Sequence, residues 1–181
     1  MSKYDVLMAP LEFLILGGIR KKLMPKAYGN VLEIGFATGV NMKYYDMNKI
    51  QSFHALDTNE DMKYFDNVRY HTLSAEALPF EDKSFDTIVL TLALCSIEAP
   101  EKALKEIGRV LKDDGQYLFI EHQRPKTQFL YHVFKKINPT WKKYAGGCQI
   151  ILETDSLIKS QGFILDKKNI NVFHYGIAHK I

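Results

Sequence analysis

The segment from Val31 to Gly39 constrains the fold of this chain more than any other. It reads Val-Leu-Glu-Ile-Gly-Phe-Ala-Thr-Gly, an apolar run with one acidic residue that ends in a glycine turn. A helical pattern follows from Val40 onward. A strand, a tight turn and a helix in this order leave unpaired backbone N–H groups at the turn, and these favour a negatively charged ligand group. The segment therefore predicts a ligand-binding turn at the end of a first strand.

The spacing of small residues separates two kinds of binding turn. A dinucleotide fingerprint requires small residues at its first, third and sixth positions, which fall on Gly35, Ala37 and Val40. Val40 is a poor substitute for the glycine that permits close helix packing. The pattern acidic-x-Gly-x-Gly-x-Gly falls on Glu33, Gly35, Ala37 and Gly39, and all but one of its positions match. This second pattern resembles the S-adenosylmethionine (SAM) turn of Rossmann-like methyltransferases.

Length and composition are typical of one compact enzyme domain, which we expect to span residues 1–181. Hydrophobic residues make up 46% of the chain, charged residues make up 25%, and the net charge of +3 is too small to indicate a nucleic-acid partner. Cys95 and Cys148 have no paired spacing, so we expect neither a disulfide framework nor a metal site. The longest apolar stretch, Thr87–Ile97, is too short to span a membrane, and no secretory signal is visible. We therefore expect a cytoplasmic protein.

Strand and helix patterns alternate from residue 31 onward. Strands are predicted at 31–36, 53–57, 68–73, 85–94, 116–121, 163–170 and 175–181. Helices are predicted at 39–47, 59–65 and 101–111. This alternation predicts an α/β, Rossmann-like fold, whose ligands bind outside the carboxyl ends of the strands. We expect a seven-stranded, mostly parallel sheet with an antiparallel C-terminal edge strand and helices on both faces.

Two segments lie outside this alternation. Residues 1–30 are predicted to form a helical cap over the cofactor cleft. Because they contain the basic residues Arg20, Lys21 and Lys22, a weak contact with a membrane surface is the alternative. Residues 125–150 are rich in aromatic side chains, namely Phe129, Tyr131, Phe134, Trp141 and Tyr144. We expect this insert to wall a substrate pocket, with plain core packing as an equal alternative.

Each chemical group of SAM makes its own demand on the site. Glu33 can accept a hydrogen bond from the ammonium or fix the turn, and Gly35 and Gly39 leave room for the ligand. Asp57, at the end of the second strand, can accept both ribose hydroxyls, although it could instead cap a helix after Thr58. We expect four further cofactor contacts: Tyr4, Thr58, Thr91 and Leu92. Tyr4 could place its ring near the sulfonium or lie at the surface.

Two more segments strengthen the resemblance to SAM-dependent methyltransferases. Residues 74–86, Ser-Ala-Glu-Ala-Leu-Pro-Phe-Glu-Asp-Lys-Ser-Phe-Asp, are similar to the stretch with which that family contacts adenine. This resemblance implies adenine contacts at Ala75 and Glu76, while Ser74 replaces the usual aspartate. Residues 108–112, Gly-Arg-Val-Leu-Lys, resemble the end of a characteristic helix of the family. The matches run from residue 31 to about 121.

A narrower resemblance covers most of the chain. The segments 90–97, 119–122 and 139–148 look like the methyltransferase-like proteins described as alkyl thiol methyltransferases. The match continues through Thr154 and the segment 175–178, and Cys95 replaces the histidine usual in the wider superfamily. The longer N-terminal membrane anchor of those proteins has no counterpart here, so we expect at most a weak membrane contact. The resemblance implies a small apolar acceptor, with thiol sulfur as the first candidate and Cys95, Trp141 and Cys148 in its pocket.

Methyl transfer requires alignment of the acceptor and exclusion of water, and a base only where the acceptor loses a proton. His122 and Glu121 at the end of the fifth strand are the candidates for that base, although a structural histidine is the simpler interpretation. Cys148 could equally be a buried small hydrophobe. Other functions stay open: a sensor of SAM or S-adenosylhomocysteine, or a methyltransferase for a quinol, phenol, amine or lipid head group.

Overall fold

A seven-stranded sheet organises the described part of the chain. The computed structural model describes residues 15–125, 127–170 and 172–181. The strands are β1 Gly29–Ile34, β2 Ile50–Asp57, β3 Val68–Thr72, β4 Phe85–Thr91, β5 Leu111–His122, β6 Phe163–Ile170 and β7 Phe173–Lys180. They lie in the order β3-β2-β1-β4-β5-β7-β6, with β1 to β5 parallel and β7 antiparallel to both of its neighbours. The predicted fold class is confirmed, and the antiparallel strand β7 lies one place inside the edge strand β6.

Helices cover both faces of the sheet. Their bounds are α1 Gly17–Leu23, α2 Pro100–Val110, α3 Gln128–Tyr144 and α4 Thr154–Ser160. Leu104 and Ile107 of α2 and Ile158 of α4 pack on one face, against Leu32 and Leu90 of the central strands. On the other face, residues of α1 pack against β1, β4 and β5, as shown by the buried cluster of Ile19, Leu23, Val31, Val89 and Leu118. The sheet is therefore buried on both sides. Because β1 and β4 are parallel neighbours, their carboxyl ends meet at one edge of it.

The helix predicted at 39–47 is wrong. Two short 3₁₀ helices, Met42–Tyr44 and Met47–Lys49, take its place. Asn41 and Tyr45 are buried, and both donate side-chain hydrogen bonds to Glu33 of β1. Because asparagine, tyrosine and valine are weak helix formers, these tertiary contacts decide the backbone here.

The helix predicted at 59–65 is also wrong, and side-chain hydrogen bonds hold the backbone of this segment in a different conformation. Asp57 accepts from the N–H of Asn59, and the Asn59 side chain accepts from the N–H of Asp61. The hydroxyl of Tyr70 accepts from the N–H of Phe65. Local bonds of this kind compete with helix formation.

The N-terminal cap is only partly within the described structure. Residues 1–14, including Tyr4, lie outside it, so the expected contact of Tyr4 stays a prediction. Arg20 of the predicted basic group is 4% exposed, which leaves only Lys21 and Lys22 of that group at the surface. Among the described residues, no helix combines the length and the apolar character needed to cross a bilayer. The predicted contact of this segment with a membrane surface stays a prediction.

Candidate cofactor and acceptor site

The glycine turn lies at the carboxyl edge of the sheet, against the loop that follows β4. Gly35 has φ +74° and donates its N–H to Leu56 at 2.8 Å. A Cβ at Gly35 would lie 2.5 Å from the Cβ of Ala93. A Cβ at Gly39, where φ is +65°, would lie 2.5 Å from a ring carbon of Phe65. We expected both glycines to make room for the ligand, but the space that they leave is filled by the protein itself.

Asp57 connects the end of β2 to this turn. One carboxylate oxygen accepts from the N–H of Ala37 at 2.9 Å and the other from the N–H of Asn59 at 2.9 Å. No helix follows, so the alternative role as a helix cap does not apply. The carboxylate is partly exposed, and each oxygen has a further lone pair. The geometry leaves it able to accept two hydroxyl groups while it holds the turn.

Glu33 lies inside the protein and fixes the segment that follows the turn. Its carboxylate accepts from Asn41 at 2.7 Å and from the hydroxyl of Tyr45 at 2.8 Å, and its side chain is 1% exposed. Burial raises the pKa of this carboxyl to about 7. Of the two roles predicted for Glu33, this position matches the fixing of the turn, through side chains rather than through backbone groups.

A buried arginine joins this network, and sequence reasoning missed it. Arg20 of α1 donates to the side chain of Asn41, and to the hydroxyl of Thr91 at 3.0 Å. Asn41 also donates to Thr91 at 3.1 Å. The network joins α1, the glycine turn and the end of β4 beneath the cleft. Nothing in the run Arg20-Lys21-Lys22 distinguishes the buried cation from its exposed neighbours.

The remaining predicted cofactor residues lie around the same edge. Ala75 is buried beneath the loop after β3, and Glu76 accepts from the N–H of Ala99, just before α2. Glu76 therefore holds the start of α2 with one carboxylate oxygen. Thr58 is exposed beyond β2. Leu92 has φ +55° and borders an apolar cavity that adjoins the turn.

That cavity has a volume of about 230 Å³ and contains the predicted acceptor residues. Cys95, His122, Trp141 and Cys148 all line it. Leu92, Gln123, Phe134, Ile137, Ile150, Val172 and Phe173 complete its wall. No residue of α3 is buried, and Phe129 and Tyr144 are 77% and 73% exposed. The aromatic insert is therefore a cavity wall more than a core element. The helical spacing of Phe134, Ile137 and Trp141 is the sequence signal that could have identified the side of α3 that faces the cavity.

Two cysteines and one histidine meet in this cavity. The thiol of Cys95 donates to the sulfur of Cys148 at 3.2 Å, and Nε2 of His122 lies 3.0 Å from the same sulfur. The hydrogen bond from Cys95, followed by the contact with His122, lowers the pKa of Cys148, while the same bond and burial raise the pKa of Cys95. Burial acts to lower the pKa of His122, but the contact with Cys148 outweighs it and raises that pKa. The cysteines are 53 positions apart, so no paired spacing reveals their contact.

Glu121 lies behind the cavity rather than in its wall. One carboxylate oxygen accepts from the N–H groups of Ala93 at 3.2 Å and Leu94 at 3.1 Å, and the side chain is fully buried. Burial raises its pKa to about 7. Glu121 thus holds the loop that carries Cys95, and of the two predicted bases only His122 reaches the cavity.

A second depression, of about 500 Å³, lies at the opposite edge of the sheet. Its wall includes Asn30, Ser52 and Phe85 near the amino ends of β1, β2 and β4. Because ligands of open α/β sheets bind at the carboxyl ends of the strands, this depression is not the cofactor site.

Comparison with known proteins finds a methyltransferase domain in the chain. Residues 32–119 match the family model described as a methyltransferase domain. The chain contains a methyltransferase domain and is homologous to SAM-dependent methyltransferases. It is 30% identical to the mitochondrial methyltransferase OMS1 of Saccharomyces cerevisiae, over 87% of this chain and 39% of that protein. It is also 30% identical to the thiol S-methyltransferase TMT1B of Rattus norvegicus, over 68% of this chain and 55% of that protein.

A solved structure shares the fold. The YcgJ protein of Bacillus subtilis superposes with a TM-score of 0.69 at 24% identity, over 85% of this chain and 70% of that one. The methyltransferase spans between two fifths and just over half of the two curated relatives named above. Because one of them is named mitochondrial, the cytoplasmic location stays a prediction.

The methyltransferase domain and its structural neighbours support SAM as the cofactor. The residues at the carboxyl edge fit it, because the partly exposed carboxylate of Asp57 faces the turn at the position where the fold binds ribose hydroxyls. The buried network of Glu33, Arg20 and Asn41 holds the turn rigid around that position. Turn and acceptor cavity share one boundary, since Ala93 contacts Gly35 and directly follows Leu92 of the cavity wall.

Proposed function

We propose that this methyltransferase transfers the methyl group of SAM to the sulfur of a small apolar thiol. The observation that carries the proposal is the cavity of about 230 Å³ beside the glycine turn, with apolar walls and two thiols and one imidazole inside. Pockets for drug-sized ligands are about 300–1,000 Å³, so this volume favours a smaller acceptor. The likeness to a thiol S-methyltransferase supports the same acceptor class.

The charges around the cavity favour a neutral or weakly acidic acceptor over an amine. No carboxylate and no Lys or Arg side chain is among the described residues of its wall. A protonated amine would therefore lose its water shell without gaining a carboxylate partner, and this costs several kcal/mol. A thiol is nearly apolar in its protonated form, so it can enter such a cavity at little cost.

The chemistry requires little of the protein. SAM supplies a methyl group on a positively charged sulfur, which is already activated toward displacement. A free thiol has a pKa near ~8.5, so a few per cent is thiolate at neutral pH, and thiolates are strong nucleophiles. The cavity can exclude water, and Cys95, His122, Cys148 and Gln123 are the polar residues of its wall that can receive the acceptor sulfur. A site of this kind works without a separate catalytic dyad.

A panel of matched acceptors tests the proposal. Purified protein with SAM would be offered 1-propanethiol, 1-propanol, propylamine and phenol, and release of S-adenosylhomocysteine would be measured. We expect at least roughly tenfold faster turnover of the thiol than of the other three, with propyl methyl sulfide identified by mass spectrometry. The rate should rise with pH toward the pKa of the thiol.

Two phenylalanines of α3 provide a matched control. Phe134 lines the cavity, whereas Phe129 is 77% exposed and does not. Phe134→Ala should weaken turnover of the thiol, and Phe129→Ala should leave it unchanged. Turnover of phenol or propylamine without any thiol turnover would overturn the choice of acceptor. SAM binding with no turnover of any acceptor would favour a sensor.

A further inference from the structure

We propose that Cys95, His122 and Cys148 form a binding site for a thiophilic divalent cation, with zinc as the first candidate. One coordination position would stay open to the acceptor cavity. Among the described residues, these three are the one group of metal-ligating side chains whose donor atoms come together, all within 4.8 Å of one another. The cation site stands on this geometry, while the use of the open position by an acceptor sulfur rests on the proposed function.

The distances between the donor atoms are close to those of a zinc site. The sulfurs are 3.2 Å apart, and Nε2 of His122 lies 3.0 Å from the sulfur of Cys148. Zinc binds sulfur at about 2.3 Å and imidazole nitrogen at about 2.0–2.1 Å, so tetrahedral geometry places neighbouring donors roughly 3.5–3.8 Å apart. The remaining pair, the sulfur of Cys95 and the imidazole of His122, lies within 4.8 Å. Rotation of the three side chains would have to bring the donor atoms to the spacing that the ion requires.

The backbone holds the two cysteine segments together. The N–H of Gln149 donates to the carbonyl of Cys95 at 2.9 Å, directly after Cys148. Gly147 has φ +88°, and a Cβ there would lie 3.3 Å from the carbonyl oxygen of Ser96. A glycine therefore permits the close approach that places Cys148 beside Cys95. The third donor comes from β5, and the site is assembled before any ion arrives.

A bound cation would use all three donor atoms, whereas a disulfide would use only the two sulfurs. Cys95 and Cys148 are 1% and 5% exposed, and Cys95 donates its S–H to the sulfur of Cys148. A cation would replace that shared proton and would be held by soft sulfur ligands, which select zinc over magnesium or calcium. Two cysteines and one histidine with an open position form the ligand set of a catalytic rather than a structural zinc site.

The open position faces the cavity that would hold the acceptor. A thiol that coordinates there releases its proton to bulk water as it enters the cavity and keeps its electron pair on sulfur. That pair forms the new S–CH₃ bond while the bond between the methyl group and the sulfonium of SAM breaks. The products are a neutral thioether, which is a weaker ligand and leaves, and S-adenosylhomocysteine.

Metal uptake without any acceptor tests the site directly. The protein, reduced with a phosphine and dialysed with zinc, should carry one equivalent of zinc by elemental analysis. Cobalt substitution should give a tetrahedral visible spectrum with a sulfur-to-cobalt charge-transfer band in the near ultraviolet. Cys95→Ser, Cys148→Ser and His122→Ala should each weaken binding about 10–100-fold, and His132→Ala, on the exposed face of α3, should not.

Wild-type protein provides a second measurement that does not depend on whether the variants fold. Zinc should slow the reaction of the two thiols with a disulfide reagent at least tenfold, and a chelator should restore the rate. Absence of uptake overturns the site, and so does cobalt binding without the charge-transfer band, because the ion would then have no thiolate ligand. A Cys95–Cys148 disulfide that persists with excess zinc and reductant also overturns it.

The role of the open position has its own test. Ethanethiol should shift the charge-transfer band of the cobalt protein, and an unchanged spectrum at saturation overturns that role. Metal uptake without methylation of any thiol would refute the proposed function and leave the cation site standing. Thiol methylation by protein that takes up no metal would do the reverse.

Discussion

The glycine turn and the acceptor cavity share one boundary but are built in different ways. The acidic residues of the turn motif bond to residues close in sequence: Glu33 bonds to residues 8 and 12 positions away, and Asp57 to one 20 positions away, while Arg20 and Asn41 add longer connections to Thr91. In the cavity, Cys148 meets Cys95 across 53 positions and His122 across 26. A local motif can be read from spacing, whereas a cluster assembled by the sheet cannot. The sequence therefore indicates the cofactor more readily than the acceptor.

The two regions also differ in what the rest of the fold requires of them. The turn contains the buried polar side chains Arg20, Glu33 and Asn41, each bonded to another part of the chain. The cavity wall contributed by α3 contains no buried residue. A substitution in the turn should therefore affect stability and cofactor binding together. A substitution in the wall should change the choice of acceptor and leave the fold intact.

The largest contrast is expected between two glycines with similar backbone angles. Gly39 in the turn has φ +65°, and Gly146 beside the cavity has φ +59°. A Cβ at Gly39 would meet Phe65 and Phe36, while one at Gly146 would meet nothing within 4 Å. Gly39→Val should lower the free energy of unfolding by about 2–5 kcal/mol, through overpacking and backbone strain, and abolish SAM binding.

Gly146→Val is the matched control, and it should cost about 1–2 kcal/mol from backbone strain alone. Urea unfolding measures both variants. Equal costs at the two positions would show that the contacts of Gly39 with the aromatic rings do not contribute. The comparison between a constrained turn and a tolerant wall would then fail.

The second prediction concerns the pH dependence of the buried carboxyl in the turn. Glu33 faces Arg20 from α1 and Tyr45 and Asn41 from the segment after the turn, and Arg20 and Asn41 in turn bond to Thr91 of β4. Its pKa is about 7 in the folded protein against an ordinary 4.5. Between these values the folded state binds more protons than the unfolded state, so the free energy of unfolding falls as pH rises and levels off above pH 7.

Glu33→Gln removes this titration and keeps an acceptor for Asn41. Relative to the variant, the wild type should lose about 3 kcal/mol of stability between pH 4.5 and pH 8, since one pKa unit is worth about 1.4 kcal/mol. Chemical unfolding at several pH values measures the difference. Parallel curves for the two proteins would mean that Glu33 is ionised at neutral pH and that the network pairs its charge.

The third prediction is specific to the cofactor. Asp57→Ala should weaken SAM binding about ten- to a hundredfold, because a charged acceptor of hydrogen bonds is lost. It should also loosen the turn, since the N–H of Ala37 loses its partner. Asp57→Asn keeps one acceptor oxygen, so its affinity for SAM should lie between those of the wild type and Asp57→Ala. Calorimetry with SAM measures all three, with exposed Asp61→Ala as the control. If Asp57→Ala bound SAM with wild-type affinity, Asp57 would not be the residue that binds the ribose.

The sheet could be predicted from sequence because each strand carries its own pattern. The continuous apolar run of β4 marks a central strand covered on both faces, and the apolar stripe of α2 marks its buried side. The backbone between 39 and 65 could not be predicted in this way. There the hydrogen bonds of Asn41 with Glu33 and of Tyr70 with Phe65 decide the structure, and both depend on the sheet already being formed.

The residues of the site also differ in how far they can be predicted from the sequence. Glu33, Gly35, Ala37, Gly39 and Asp57 are recognisable from the motif and lie together at one edge. Arg20 has no distinguishing signal in the sequence, because its burial follows from the packing of α1 on the sheet. The contact between Cys95 and Cys148 depends on the turn with two glycines that follows α3. No local sequence pattern specifies where α3 lies against the sheet. The spacing of residues along the sequence does not indicate which residues lie close together across the sheet.

The smallest effect is expected in the wall, and it separates wall from core. Trp141 lines the cavity, whereas Tyr144, three residues later on α3, is 73% exposed. Trp141→Ala should raise the KM for the thiol about three- to tenfold, equivalent to roughly 0.7–1.4 kcal/mol, and leave the affinity for SAM unchanged. Tyr144→Ala should change neither. Loss of SAM affinity together with a lower melting temperature in Trp141→Ala would make the tryptophan part of the core. The cavity and the turn would then be one cooperative unit, and α3 could not change the acceptor without changing the fold.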